Sequence, residues 1–303
     1  MSFSSDVKLE LIEQKNEPCC QKAEAYGLLL FSRSFSANSI EFLSEQESLV
    51  QKYNDYVVMA TGKPAEIKKT PAGNHKLIVR NKEQRLKLLS YFGHDANEVS
   101  LRINLANLSD ECCSRAFIRG AFLSCGTITD PEKEYHLEFT IPYKNLTKDF
   151  VRLCEELGFS PKTTIRQNNH IVYFKDSTNI EDLLTAMGAT NASLSLMGIK
   201  MYKSVINNTN RRVNFDKANI KRSTDSAMIY IDAIRTIEKA KGLNSLPSDL
   251  KELAMLRLEN PDMSQKELAA SLSVPISLSA VNRRLKKLVE IADSIRTSSV
   301  KNR

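Results

Sequence analysis

The chain has 303 residues, 42% of them hydrophobic and 26% charged, with six cysteines, four histidines and a formal net charge of +7. That length accommodates about two domains of roughly 100–200 residues each, and the balance is ordinary for a globular protein. No apolar run approaches the ~18 residues of a membrane span, and Met1 to Glu13 lacks the basic and apolar regions of an export signal, which argues against a membrane protein, a disordered or collagen-like chain, and a secreted mini-scaffold.

The first feature along the chain is a cysteine pair, Cys19-Cys20, matched later by Cys112-Cys113. Neighbouring thiols seldom bridge each other, and no C-x-x-C occurs, so neither a disulfide framework nor zinc-ligand spacing is expected. The cysteines read as small buried or half-buried side chains in a reducing cytoplasm, with no metal and no cofactor. The pairs do mark an internal repeat: Cys112, Gly120 and Leu123 each follow Cys19, Gly27 and Leu30 by 93 residues.

Each copy begins with an apolar stretch long enough for a helix, Ala23–Phe31 and Ala116–Leu123. Two strands follow, Ser34–Ser36 with Ile40–Ser44, then Thr127–Thr129 with Tyr135–Ile141 around the turn Asp130-Pro131-Glu132-Lys133. Second helices are expected near Glu45–Thr61 and Asn145–Leu157, with Gly62 and Gly158 just past their ends. Hairpins come next, Ile67–Thr70 with His75–Val79, and Thr163–Arg166 with His170–Phe174 around Gln167-Asn168-Asn169. Lys82–Phe92 and Asn179–Met187 close the copies as third helices. The order is αββαββα twice, which predicts antiparallel sheets with helices packed on one face.

This order, with a glycine in each first helix, resembles the two-repeat LAGLIDADG homing endonucleases. In that family the first helices pack together along small residues, and each ends in a carboxylate that holds the catalytic divalent metal. The resemblance places Ser32 and Cys125 at those carboxylate positions. Mg²⁺ takes hard oxygen ligands, and a hydroxyl and a thiol are poor replacements, so no catalytic residues and no metal are expected. A metal-dependent endonuclease of the LAGLIDADG type is the alternative reading. Glu24, Glu111 and Asp130 lie nearby in sequence, but none stands at the helix end in both copies. Lys68, Lys69, Lys76, Arg80, Lys162 and Arg166 lie on or beside the hairpins, where a nuclease sheet covers DNA.

Charge shifts after this region. Residues 1–195 hold 23 basic and 25 acidic side chains, whereas residues 196–303 hold 20 and 11. A basic C-terminal third on a near-neutral body points to a polyanion-binding module. Residues 193–209 read as a helix with Leu194, Met197, Met201 and Val205 at helical spacing, and a long helix follows from Thr224 to Lys241. Between them, Asn210–Arg222 carries Arg211, Arg212, Lys221 and Arg222 among asparagines, residue types suited to phosphates and bases.

From Pro247 three short helices are expected. Ser248 or Asp249 caps the first, which runs to Leu258, and Asn260-Pro261 stops it. Ser264 and Glu267 form a capping box over Gln265–Ser271, with Leu268, Ala269 and Leu272 inward. After Ser273-Val274-Pro275, a helix near Ser277–Ile295 buries Val281, Leu285, Leu288 and Ala292 and presents Asn282, Arg283, Lys286 and Lys287, with Arg284 at the side. A short helix, a break and a basic amphipathic helix make a helix-turn-helix, whose second helix enters the major groove.

The whole combination resembles the WhiA family of bacterial regulators. The residues that carry it are Phe117–Leu123, Asp130–Lys133, Tyr135–Glu138, Asn210–Arg222 and Ser279–Leu285. The resemblance implies an α+β fold: a degenerate LAGLIDADG-like domain over 1–195 (repeats about 18–95 and 111–190), a basic helical connector over 196–245 and an all-α helix-turn-helix domain over 246–303. It implies a cytoplasmic, nucleoid-associated, non-enzymatic DNA-binding protein that regulates transcription in sporulation or in cell division and chromosome segregation. The partner expected is double-stranded DNA, with RNA polymerase or other transcription factors as further candidates, and no membrane or small-molecule substrate. The DNA-contacting set expected is Gln265, Lys266, Ser277, Ser279, Asn282, Arg283, Arg284, Lys286 and Lys287, together with Arg211, Arg212, Lys221 and Arg222.

Overall fold

The structure, a computed structural model, describes residues 2–301, and these divide into two compact units between Lys203 and Ser204. The first unit opens with a helix that no sequence pattern announced, α1 (Phe3–Ile12), because only Val7 and Leu11 supply its buried stripe. Then comes copy one: α2 (Pro18–Leu30), β1 (Ser34–Phe35), β2 (Ile40–Ser44), α3 (Glu47–Thr61), β3 (Glu66–Lys69), β4 (His75–Ile78) and α4 (Lys82–Tyr91). Copy two repeats it: α5 (Glu111–Cys125), β5 (Gly126–Ile128), β6 (Leu137–Ile141), α6 (Lys144–Glu156), β7 (Lys162–Arg166), β8 (Asn169–Phe174) and α7 (Ser177–Met187).

Each copy builds one four-stranded antiparallel sheet, in the orders β1-β2-β4-β3 and β5-β6-β8-β7. The period-two pattern is clearest in β6, where Leu137, Phe139 and Ile141 are buried and Glu138 and Thr140 face the other way. The β7–β8 turn is tighter than the sequence suggested. Arg166 pairs with Asn169, leaving a two-residue loop in which Gln167 and Asn168 both have positive φ, the type I′ geometry that matches strand twist.

Helices α2 and α5 form the axis between the copies. Residues 23–30 of α2 and 116–123 of α5 are buried on every side, as expected of a helix enclosed by its own domain. A Cβ on Gly27 would lie 2.1 Å from the Phe117 carbonyl oxygen, and one on Gly120 would lie 2.1 Å from that of Glu24. Backbone meets backbone at this crossing, so only glycine fits on either side.

Beside the crossing lies a buried charge cluster that the sequence did not reveal. The Glu24 carboxylate, 0% exposed, meets Lys52 Nζ at 2.7 Å and Arg119 Nε at 2.7 Å and accepts from the Tyr56 hydroxyl at 2.8 Å. Burial alone would raise the Glu24 pKa, but Arg119 and Lys52 outweigh it and hold the group below its ordinary value. Arg119 also donates to the Met187 carbonyl at 2.8 Å, so one guanidinium ties α5 to α2 and to the end of α7.

The connector departs from the two-helix expectation. A single helix, α8 (Thr190–Lys241), runs through Asn210–Arg222, because that segment holds neither glycine nor proline to interrupt it. In the second unit follow α9 (Ser248–Glu259), α10 (Gln265–Ser271) and α11 (Leu278–Lys301). Their core is Leu250, Leu253, Ala254, Leu268, Ala269, Leu272, Val281, Leu285, Leu288 and Ala292, joined by Ala233, Ile234 and Ile237 from α8. The helical bundle therefore has a fourth contributor beyond the three helices read from sequence.

Candidate nucleic-acid interface

The geometry of α9 to α11 is set by local hydrogen bonds. The capping box closes α10 as expected: Glu267 N donates to Ser264 Oγ at 3.2 Å and Ser264 N donates to the Glu267 carboxylate at 2.7 Å. At α9 the expectation needs correction. Pro247, not Ser248 or Asp249, is the capping residue; its extended ψ of 148° turns its carbonyl to Leu250 N and Lys251 N, so the two polar residues fall inside the first turn. Asp249 instead holds Arg284 Nε at 3.2 Å, fixing α11 against α9.

Two further residues escaped the sequence reading. Glu252 accepts from Ser273 N at 2.6 Å and from its hydroxyl, bonds that hold this carboxylate below its ordinary pKa and pin the break between α10 and α11. Ile276 N donates to the Ala269 carbonyl at 3.2 Å across the same break. Arg257, only 2% exposed, closes the α9–α10 loop by donating to the Met263 carbonyl at 2.6 Å. Burial pushes its pKa down. No residue-type motif marks either role; both depend on where the loops return.

On this frame α11 presents its polar face. Ser277 Oγ accepts from Ala280 N at 3.3 Å and lies 2.9 Å from Ser279 Oγ, so both hydroxyls sit at the start of the helix. Lys266, Ser277, Ser279, Arg283, Lys286 and Lys287 are exposed; Gln265, Asn282 and Arg284 are half-buried. Among the described residues no ion pair engages Arg283, Lys286 or Lys287, whereas Arg284 is committed to Asp249.

The continuity of α8 spreads its four cations. Arg211, Arg212, Lys221 and Arg222 are all exposed. At about 100° per residue, Arg211 and Arg222 share a face to within about 20°, but Arg212 and Lys221 stand about 180° apart. One duplex therefore meets a subset of the four.

The sheets differ again. Lys68 and Arg80 both pair with Glu66, Lys76 pairs with Glu41 at 2.8 Å, and Arg166 pairs with Glu138 at 3.4 Å. Lys69 and Lys162 are exposed and, among the described residues, in no ion pair.

The positions that hold metal in the nucleases carry other chemistry. Ser32 is 4% exposed; its hydroxyl donates to the Leu29 carbonyl at 2.7 Å and accepts from Tyr53 at 3.3 Å. At Cys125, burial pushes the thiol up to about 12, and the partly opposing influence is the ammonium of Lys8 on α1. A neutral hydroxyl network and a protonated thiol beside a cation are both poor hosts for Mg²⁺. Of the three nearby acids, Glu24 is locked in its buried cluster, Glu111 pairs with Arg115, and Asp130 accepts from Glu132 N at 2.9 Å in its turn.

Comparison with known proteins converges on one family. A family model described as the WhiA LAGLIDADG-like domain matches residues 114–206, and one described as the WhiA C-terminal HTH domain matches residues 209–292. A probable cell division protein WhiA from Alkaliphilus metalliredigens (strain QYMF) is 34% identical over 319 residues, covering 99% of this chain and 100% of that protein. A probable cell division protein WhiA from Bacillus cytotoxicus (strain DSM 22905 / CIP 110041 / 391-98 / NVH 391-98) is 33% identical over 312 residues, covering 98% of each. The crystal structure of full-length WhiA from Thermatoga maritima matches with a TM-score of 0.61 at 24% identity, covering 97% of this chain and 99% of that one, a likeness of fold.

Proposed function

This chain belongs to the WhiA family, and from that premise we propose that it is a DNA-binding regulator acting in cell division, which holds duplex DNA through its C-terminal helices. The observation that carries this reading is the α11 face, where Arg283, Lys286 and Lys287 stand exposed on a helix whose apolar stripe is fully buried. In a helix-turn-helix the early residues of the second helix reach base edges. Asn282 and Arg283 suit that role, an amide for adenine and a guanidinium for guanine. Lys266, Lys286 and Lys287 are placed for phosphates, and Gln265, Ser277 and Ser279 for hydrogen bonds to the backbone. Arg284 acts as a positioning residue through Asp249. On α8, Arg211 and Arg222 lie on one face and add phosphate contacts there, with Arg212 or Lys221 at a flank.

Its relatives carry the name of a cell division protein, and this chain acts in that process rather than in sporulation, controlling transcription from the sites it binds. Contacts with RNA polymerase or other transcription factors, and a place on the nucleoid in the cytoplasm, follow from that control. Among the described residues no helix is long and apolar enough to cross a membrane. The LAGLIDADG-like domain serves as a non-catalytic scaffold, because Ser32, Cys125 and Lys8 replace the metal-binding chemistry.

A genome-wide map of crosslinked sites tests the regulator. The wild-type protein is expected at discrete loci, and Arg283→Ala is expected to lose or blur them. A map unchanged by Arg283→Ala contradicts the assignment. A plasmid-nicking assay with Mg²⁺ or Mn²⁺ tests the nuclease alternative. No cleavage is expected, and cleavage abolished by Ser32→Ala or Cys125→Ala would restore it.

A further inference from the structure

The fold brings together what the sequence separates by 93 residues. Cys19 and Cys20 lie in the first turn of α2, Cys112 and Cys113 in the first turn of α5, and the sulfur atoms of all four lie within 4.8 Å of one another. Internal symmetry is the reason. The two helices cross at Gly27 and Gly120, an equal number of residues beyond each cysteine pair, so their starts converge. Cys19 and Cys112 are exposed, Cys20 is half-buried and Cys113 is buried, so the expectation of uniformly sheltered thiols fails at the two outer positions. Neither the DNA-binding reading nor the packing of the core requires four thiols here.

We propose that Cys19, Cys20, Cys112 and Cys113 form a tetrathiolate site for a thiophilic divalent cation of the zinc class, which clips the two copies together at the start of their paired helices. Zinc takes four thiolates tetrahedrally at about 2.3 Å, which sets the sulfur atoms about 3.8 Å apart. The Cys19 and Cys20 sulfur atoms are already 3.9 Å apart, and the widest separation needs to close by only about 1 Å. The two outer thiols leave the site open to an entering ion, while Cys113 anchors it from below.

The helix starts favour sulfur anions. Both pairs sit where the unpaired N–H groups and the positive end of the dipole of a helix favour a thiolate. The Ser109 hydroxyl lies 3.6 Å from the Cys113 sulfur, where it can donate to a thiolate. Four thiols this close cannot all ionise unaided. A dication removes that conflict, and its binding releases the protons. The ion would sit at the opposite end of α2 and α5 from Ser32 and Cys125, some 18 Å away at the rise of a helix, so it has no part in nuclease chemistry.

Cobalt is the probe. The full-length protein, reduced and kept from oxygen, is expected to take one equivalent of Co²⁺ with intense sulfur-to-cobalt charge-transfer absorption and tetrahedral ligand-field bands, and one equivalent of Zn²⁺ is expected to bleach both. The double variant Cys19→Ser/Cys112→Ser alters only the exposed pair, so its circular dichroism is expected to match the parent while the cobalt absorption is lost. Cys125→Ala, distant from the cluster, is expected to keep the absorption, and Zn²⁺ is expected to raise the melting temperature of the parent but not of the double variant. A reduced parent without stoichiometric cobalt absorption overturns the site, as does absorption that survives in the double variant. Disulfides across α2 and α5, found by peptide mapping together with no cobalt uptake after reduction, would replace it with a redox pair.

Discussion

On the sheets of the first unit, Lys68 and Arg80 share Glu66, Lys76 faces Glu41 and Arg166 faces Glu138; on α11 of the second unit, Arg283, Lys286 and Lys287 face water. A phosphate approaching Lys68, Lys76, Arg80 or Arg166 competes with a carboxylate already in place, whereas among the described residues Lys69 and Lys162 carry no such partner. A phosphate approaching α11 displaces only water and counterions, and the release of counterions from DNA drives the encounter. Basic residue content alone therefore does not locate a DNA surface. On the proposed reading, the DNA surface is the one whose cations are left unneutralised by their own fold, which holds for Arg283, Lys286 and Lys287 on α11 and fails for four of the six hairpin cations on the sheets.

The buried charges of the first unit give the sharpest break in the comparison, because they act on folding. Arg119→Ala leaves Glu24 with a single cation in the core and should cost about 3–5 kcal/mol of stability, read by chemical denaturation. Glu24→Ala should cost a similar amount by stranding Arg119 and Lys52. Because the pKa of Glu24 is lowered on folding from 4.5, its contribution is fully present above that value and is lost as pH falls through the lower folded pKa. Acid unfolding should therefore begin below about pH 4.5 in the parent and lose this component in Glu24→Gln.

The helix crossing comes next. Gly120→Ala places a methyl group against the Glu24 carbonyl and should cost about 1–3 kcal/mol or more by prising α2 from α5, whereas Gly73→Ala, with open space around it, tests only the strain of its positive φ. Thermal denaturation of both separates packing from backbone strain.

On α11 the losses should appear in DNA binding with the fold intact. Arg283→Ala should weaken binding to a selected site by about 1–3 kcal/mol and relax preference at one or two base pairs, measured by competition against mutated sites. Arg222→Ala should weaken binding to all sequences alike, and a loss confined to one sequence would reassign it to base reading. Lys76→Ala on the sheet should change nothing measurable in DNA affinity, since Glu41 already pairs with that cation.

How far the sequence carried depends on the range of each signal. The repeat, the order of elements and the α10 capping box rest on local patterns, and the structure has them with end shifts of a few residues. Gly27 and Gly120 were legible because the resemblance to the LAGLIDADG nucleases, whose first helices pack along small residues, places the close approach at these two positions. The longer helix α8 was missed because a polar, asparagine-bearing stretch resembles a linker, yet nothing in it stops a helix. Glu252 and the Glu24–Arg119 pair were invisible because their partners lie elsewhere in the chain, and Arg257 because its acceptors are backbone carbonyls of the loop that follows, which no residue type marks. The cysteines show the same limit in reverse: spacing rules search one stretch of chain, whereas these four thiols are assembled from two repeats.

The salt dependence of DNA binding by the full-length protein tests the central claim most directly. Two triple variants are compared with the parent on one duplex: Arg283→Ala/Lys286→Ala/Lys287→Ala on α11, and Lys68→Ala/Lys76→Ala/Arg166→Ala on the sheets. Each phosphate contact contributes about 0.9 to the slope of log K against log salt concentration. The account predicts that the α11 variant loses about 0.9 per contact removed while the sheet variant keeps the parental slope. A slope that collapses in the sheet variant and persists in the α11 variant would contradict it and move the DNA surface to the nuclease-like domain.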